Sequence, residues 1–245
     1  MVRILLIGGS GYLGSIVTPP LRQRFAVRIY DLCPPASDCE YVAGDATDYP
    51  ALLAAMTDVD VVIHAAMGAL DEASSGHAIA AFDVNVKSVH LAVSAAHQAG
   101  VPHFVYVSSM SVYRDLKTRR LDESAAPDAS DLYGLTKRLG EEVCRAAVAE
   151  YGMSVNILRL AWPTPDSDWP AWSLMEPPAD IRRPDGTPAC ATAGTDVAAA
   201  IAAAVDYRDG LQTFIVSADE LGGLWNTAKT RDVLGWHPEF SYESR

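Results

Sequence analysis

No apolar run in this sequence approaches the ~18–20 residues of a membrane-spanning helix, so no membrane partner is expected. Cysteine is scarce: Cys33, Cys39, Cys144 and Cys190 are the four present, with no C-x-x-C spacing. The six histidines are equally scattered, so no metal site and no redox dithiol is indicated. Unclustered thiols without a signal peptide point to a reducing, cytoplasmic setting. Positive charge is short as well. Nineteen Lys and Arg stand against 31 Asp and Glu, a formal net charge of −12. That leaves no basic surface for nucleic acid or an anionic membrane. What the chain does have is hydrophobic residues, 49% of 245. They suffice for the core of one large α/β domain, or one domain with a small lobe.

The organising stretch lies near the start. Val2 to Ile7 is a short apolar run that reads as a buried parallel strand. Gly8-Gly9-Ser10-Gly11-Tyr12-Leu13-Gly14 follows as G-x-x-G-x-x-G, where the strand must turn into a helix. Gly8 supplies the tight turn, Gly11 lets the backbone approach a pyrophosphate, and Gly14 lets the helix pack on the strand. The new helix then turns its unpaired N–H groups and positive dipole end toward the phosphates. A glycine pattern alone also serves as an ordinary turn. Its placement here, and Asp31 at the end of the second strand (Phe25 to Tyr30), make it a dinucleotide site. An acid at that point accepts both adenosine-ribose hydroxyls and repels a 2′-phosphate, so the expected cofactor is NAD rather than NADP.

Along the rest of the chain, Pro19-Pro20 should kink the first helix or end it early. Tyr41 to Ala43 forms a third strand, after which Asp45 either lies beneath an adenine base or serves as a turn residue. Val59 to Ala66 is the fourth strand, and its small Ala65 and Ala66 let a cofactor lie close to the backbone. His64 reads as a residue packed beside that strand. A long helix from about His77 to Ala99 precedes strand five, Phe104 to Val107. Ser130 or Asp131 caps the next helix, which runs to Tyr151, and Val155 to Leu160 is strand six. Thr195 caps a helix to Val205, and Thr213 to Val216 is the last strand. Seven alternating strands and helices predict a Rossmann-type doubly wound parallel sheet with its ligand at the carboxyl ends of the strands. The irregular stretch from 162 to 193 carries Trp162-Pro163-Thr164-Pro165, Trp169-Pro170 and Pro177-Pro178. A structureless segment of that length reads as a functional cover. The expected division is therefore an NAD-binding part, 1–161, and a small substrate-binding region, 162–245, packed on the same domain.

Tyr133 and Lys137 are four apart on a predicted helix and share one face. An ammonium near a phenol favours the phenolate, lowering a reference pKa of ~10 toward that of a useful general base. Ser109, at the end of strand five, can donate a hydrogen bond to the same substrate oxygen. Tyrosine as base, lysine as tuner and serine as polariser suffice to deprotonate an alcohol while its hydride leaves for nicotinamide.

In this order the residues resemble the extended short-chain dehydrogenase/reductases, specifically the NAD-dependent epimerase/dehydratase group. The glycine loop, Asp31, Gly44-Asp45, His64-Ala65-Ala66, Asn85-Val86, Val107-Ser108-Ser109 and Tyr133-x-x-x-Lys137 carry the resemblance over about residues 1–160. It resumes at Thr195-Asp196-Val197 and Leu234 to Pro238. The resemblance implies that Lys137 also contacts the nicotinamide ribose, that Asp45 and Ala46 contact adenine, and that Asn85 belongs to the cofactor site. It places Ser109 rather than Ser108 at the catalytic position and implies a homodimer. Three departures bear on substrate. Arg114 replaces a glycine, Met110-Ser111 stand where dehydratases have Asp-Glu, and Trp162-Pro163-Thr164-Pro165 stands for the usual N-x-Y-G-P. The short part after residue 161 and Trp225-Asn226 resemble small uronate-dehydrogenase-type members, which carry Asn-His after the serine where this chain does not. The expectation is an NAD-dependent oxidoreductase acting on a hydroxyl of a sugar or sugar acid. A nucleotide-sugar epimerase is the variant within that class, and a non-catalytic NAD-binding sensor is the reading outside it. Candidate substrate contacts are Met67, Ser109, Met110, Arg159 and Arg182, with Arg159, Arg182 and Arg183 as possible clamps for an anionic group.

Overall fold

The structure, a computed structural model, describes residues 1–68, 74–174, 177–189, 191–218 and 223–240. Seven strands form one sheet: β1 (Arg3–Ile7), β2 (Ala26–Asp31), β3 (Glu40–Ala43), β4 (Val61–His64), β5 (His103–Ser109), β6 (Ser154–Leu160) and β7 (Leu211–Val216). Their order is β7-β6-β5-β4-β1-β2-β3, and every pair is parallel. Successive side chains of a strand point to opposite faces. Thus Ile4 and Leu6 of β1 enter one core layer, while Leu5 and Ile7 enter the other. Helices cover both faces, as a parallel sheet requires. On the Ile4 side pack α1 (Tyr12–Leu21) and α6 (Gly194–Asp206). On the Leu5 side pack α2 (Tyr49–Ala55), α4 (Ser88–Gln98) and α5 (Leu132–Tyr151).

The sheet turns back on itself between β1 and β4, whose ends lie level, Ile7 opposite His64. A crevice opens there at the carboxyl ends, and the first glycine loop sits in it. Gly14 belongs to helix packing: a Cβ on it would lie 2.2 Å from the Gly9 carbonyl oxygen.

Several local expectations are corrected. Helix α1 does not end early at its prolines: it runs through Pro19 and Pro20 to Leu21, and the Arg22 amide closes on the Thr18 carbonyl at 3.0 Å. Proline already has a helical φ, and the fully buried Val17 and Leu21 hold the helix by packing rather than by its ladder. The long helix near residue 80 begins at Ser75 and is stepped: α3 (Ser75–Phe82) leads through a π turn, Asp83–Lys87, into α4. Helix α6 has Ala193 at its N-cap with no side-chain cap. The Thr195 amide and hydroxyl instead bond the Asp166 carboxylate. The last helix, α7 (Ala228–Leu234), stops at Gly235, and Trp236 then donates from Nε1 to the Asp196 carbonyl at 2.9 Å. Strand β7 and helix α6, from the part after residue 161, thus complete the same sheet and layer as the first part.

Among the described residues no helix is long and apolar enough to cross a membrane, and no group of His, Cys, Asp and Glu could hold a metal. Cys33, Cys39 and Cys144 are free thiols, and Cys190 lies outside the described residues.

Candidate active site

A cavity of about 650 Å³ runs from the glycine loop to α5. Its nucleotide end is built by the strand ends. Gly8 has φ +83°, and a Cβ there would lie 2.4 Å from Ala66, so only glycine brings the turn this close to β4. Above Gly11, by contrast, a Cβ would meet only the Gly8 carbonyl, at 3.4 Å, leaving open cradle over the first turn of α1. No side chain caps that turn, so its amides are left for a ligand. Asp31 is held by the Ser10 amide on Oδ2 (2.9 Å) and the Cys33 amide on Oδ1 (3.3 Å), and it faces the cavity. Tyr12, Leu13, Asp45, Ala46, Ala65 and Ala66 also line it. Asp45 Oδ1 accepts from the amide and hydroxyl of Thr47, both 2.8 Å, which hold its carboxyl below the usual range. Amide donors, a cavity-facing carboxylate and an uncrowded floor fit an adenine dinucleotide.

The other end holds the reactive groups. Strand β5 ends in two serines of opposite facing. Ser108 donates to Glu141 Oε1 at 2.6 Å, while Ser109 accepts the Ser111 amide at 3.1 Å and lies beside Tyr133. Asp131 caps α5 by accepting the Gly134 amide at 2.9 Å. Tyr133, Lys137 and Glu141 follow at intervals of four on one face. Lys137 is 2% exposed and donates to the Val107 carbonyl at 2.9 Å, with its Nζ 6.0 Å from the centre of the Tyr133 ring. Burial brings the Lys137 ammonium down to about 8, opposed by Glu141. Burial pushes the Tyr133 phenol up to about 12, opposed by its hydrogen bond with Ser109. The expected lowering by Lys137 is therefore reversed. Desolvation of the phenol is the larger effect, and the ammonium rests on a backbone carbonyl.

Of the residues singled out in the sequence, Gly8, Gly11, Tyr12, Leu13, Asp31, Asp45, Ala46, Ala65, Ala66, Met67, Ser109, Met110, Tyr133 and Lys137 line this one cavity. Gly14, Asn85, Arg159 and Arg182 do not. Asn85 sits fully buried in the π turn, accepting the Gly68 amide (2.9 Å) and donating to Thr136 (3.0 Å). It ties the exit of β4 to α5 instead of facing the cavity. Arg159 is no substrate clamp. It is 2% exposed, and its Nε and Nη2 bond the two Glu141 oxygens at 2.9 and 2.7 Å while Nη1 donates to the Tyr113 hydroxyl. Arg182 is exposed, donates to the Gly186 carbonyl at 3.1 Å and lies 3.8 Å from Asp180. Arg183 is bonded to Thr187 at 3.4 Å. His64 is fully buried with Nε2 2.7 Å from Ser88 Oγ, and burial brings it down to about 3, so it is a neutral packing residue.

Sequence reasoning named the 162–193 stretch as a cover but missed which residues form the wall. Trp162, Pro163, Trp172 and Leu174 do so, with Leu116. The Tyr12 hydroxyl anchors that cover, donating to the Pro163 carbonyl at 2.9 Å and lying 2.6 Å from Ser173 Oγ.

Residues 4–163 match the model of the NAD dependent epimerase/dehydratase family. The 3 beta-hydroxysteroid dehydrogenase/Delta 5-->4-isomerase of Mycobacterium tuberculosis is 31% identical over 171 residues, 64% of this chain and 46% of that protein. Uronate dehydrogenase of Pseudomonas putida is 28% identical over 176 residues, 67% of this chain and 63% of that protein. The chain thus spans less than two thirds of either relative. A short-chain dehydrogenase/reductase superfamily protein from Agrobacterium tumefaciens, solved with bound NAD, shares the fold at a TM-score of 0.81. It is 25% identical and covers 98% of this chain and 94% of its own.

Proposed function

The chain belongs to the NAD-dependent epimerase/dehydratase family, and from that premise we propose that it is an NAD-dependent oxidoreductase acting on a secondary hydroxyl or the matching carbonyl. The observation that carries this reading is the convergence of Ser109, Tyr133 and Lys137 in one cavity with the glycine loop and Asp31. NAD, when bound, supplies the hydride acceptor or donor. The α1 amides and Gly11 hold its phosphates, Asp31 its adenosine ribose, and Asp45 and Ala46 border its adenine. Ser109 donates a hydrogen bond to the substrate oxygen. Tyr133 gives its phenol proton to the carbonyl oxygen in reduction and, as the phenolate, takes the hydroxyl proton in oxidation, while Lys137 positions the nicotinamide ribose and adds positive charge that favours that phenolate. Residues 1–161 thereby carry cofactor and chemistry, while 162–245 cover the substrate.

The finer form of the reading, a sugar hydroxyl, follows from the family resemblance. Its sugar-acid version loses support, because neither Arg159 nor Arg182 reaches the cavity. A nucleotide-sugar epimerase would also need cations for a second diphosphate, and Lys137 is the one Lys or Arg among the described lining residues. The test is NADH formation at 340 nm across free sugars, uronic acids, nucleotide sugars and simple secondary alcohols. Tyr133→Phe should lower turnover at least ~10²-fold with NAD binding unchanged. Near-normal turnover in that variant would show that another group is the base.

A further inference from the structure

The substrate half of the cavity is a wall of hydrocarbon and aromatic surface, and resting on the oxidoreductase reading above, we propose that the substrate is an uncharged, apolar ring alcohol of one or two rings, or its ketone. Met67 and Met110 flank the reactive end, and Leu116, Trp162, Trp172 and Leu174 continue from them. Part of this wall is packed together. Met110 packs in one apolar cluster with Leu116 and Trp162, and Trp162 joins Trp172 in the next.

Its polar groups are largely spent. Ser108 is bonded to Glu141, one Asp131 oxygen caps the first turn of α5, and Lys137 gives one proton to the Val107 carbonyl and its others to the nicotinamide ribose assigned to it above. The hydroxyls of Ser109, Ser111 and Tyr133 remain, clustered where one substrate oxygen would react. A sugar ring brings several hydroxyls, and each one left unpaired against this wall would lose its water without compensation. A carboxylate would fare worse. Lys117, the cation beside the wall, is exposed and lies with Nζ 6.0 Å from the centre of the Trp162 ring, outside the lining.

Size follows from the same cavity. A pocket of ~300–1,000 Å³ suits one drug-sized ligand, and this cavity of about 650 Å³ must also take the nicotinamide end of a dinucleotide, so the room left suits a small ring system. In the reaction, the ring carbon gives its hydride to NAD and its hydroxyl proton to Tyr133. The C–O single bond becomes a carbonyl, and NADH plus one proton are formed.

The probes are 2-decalol for turnover and 2-decalone for binding, beside glucose and glucuronate. Two of the five tryptophans, Trp162 and Trp172, line the wall, so saturable quenching of tryptophan fluorescence by 2-decalone reads binding without turnover. We expect such quenching, and NADH formation from 2-decalol with kcat/KM at least tenfold above either sugar. Leu174→Arg, at a site 40% exposed and so tolerant of charge, should raise KM for 2-decalol at least tenfold and weaken the quenching in parallel. Absence of saturable quenching, or turnover of sugars in preference to 2-decalol, overturns the proposal and leaves the oxidoreductase reading standing. Quenching by 2-decalone with no NADH from 2-decalol or from any alcohol of the wider panel above supports the apolar site and counts instead against the oxidoreductase reading.

Discussion

Removing the Glu141 carboxylate should be strongly destabilising although Glu141 lies outside the cavity. Glu141 and Arg159 are 1% and 2% exposed, and two hydrogen bonds of 2.9 and 2.7 Å join them between α5 and β6. Glu141 also accepts the Ser108 hydroxyl at 2.6 Å. Glu141→Leu therefore leaves a buried guanidinium without its anion and a buried hydroxyl without its acceptor. Breaking a buried pair from one side costs ~3–5 kcal/mol, and a chain of this size loses ~2–4 °C in Tm per kcal/mol. A fall of roughly 6–20 °C is expected in thermal unfolding followed by circular dichroism at pH 7. The triple variant Glu141→Leu, Arg159→Met, Ser108→Ala removes every stranded group, while the Tyr113 hydroxyl keeps the Asp122 and Ala125 carbonyls. It should recover most of the loss. If Glu141→Leu melts within ~2 °C of the parent, or the triple variant is no more stable than the single one, the buried-pair argument fails.

Other outcomes follow from the same structure. NAD should bind at least tenfold better than NADP, and Asp31→Ala should narrow that gap in a calorimetric titration; equal affinities in the parent chain would sink the ribose assignment. Burial holds His64 at about 3 and lowers His103 as well. Below ~6.5 the unfolded chain gains protons that these folded groups do not, so stability falls as pH drops from 6.5, by up to ~1.4 kcal/mol per pH unit for His64, with His103 acting in the same direction. Urea unfolding of His64→Asn between pH 6.5 and 5 should show a shallower slope; an unchanged slope refutes the assignment. A homodimer is expected through the helices of residues 75–98 and α5, where Ile79 and Phe82 stand 64% and 42% exposed and Leu135, Leu139 and Val143 are half-buried. Ile79→Lys should shift the mass seen by light scattering to the monomer, and a parent monomer at micromolar concentration would remove the idea.

The parts legible in the sequence are those whose signals are local. An apolar strand, three glycines and Asp31 lie within 30 residues, and the chemistry of a tight turn at Gly8 can be read without knowing the rest. Tyr133 and Lys137 are likewise set by one helical period. Arg159 misled because its partner is set by the third dimension: Glu141 is 18 residues away on another element. Nothing near Arg159 in the chain announces that its charge is already matched. Lys137 misled in the opposite sense. Its spacing from Tyr133 was readable, but the desolvation that outweighs its charge depends on how deeply α5 packs. The wall was legible only as a covering stretch, since irregular backbone has no period that would say which of Trp162, Trp169 and Trp172 turns inward. Trp169 instead reaches the Ala191 carbonyl at 2.9 Å.

The π turn at Asp83–Lys87 sets a phase step between α3 and α4. A π turn holds one residue more than regular α-helix accommodates, and one residue of helix is a rotation of ~100° about the axis. Deleting one residue from the turn would leave α4 seated on the sheet and swing α3 through that angle. The Asn85 bond to the Gly68 amide would be lost, and Ile79 and Phe82 would leave the side they now present to solvent. A single codon's deletion would thus act at once on the exit of β4, which borders the cavity, and on the exposed apolar surface of Ile79 and Phe82.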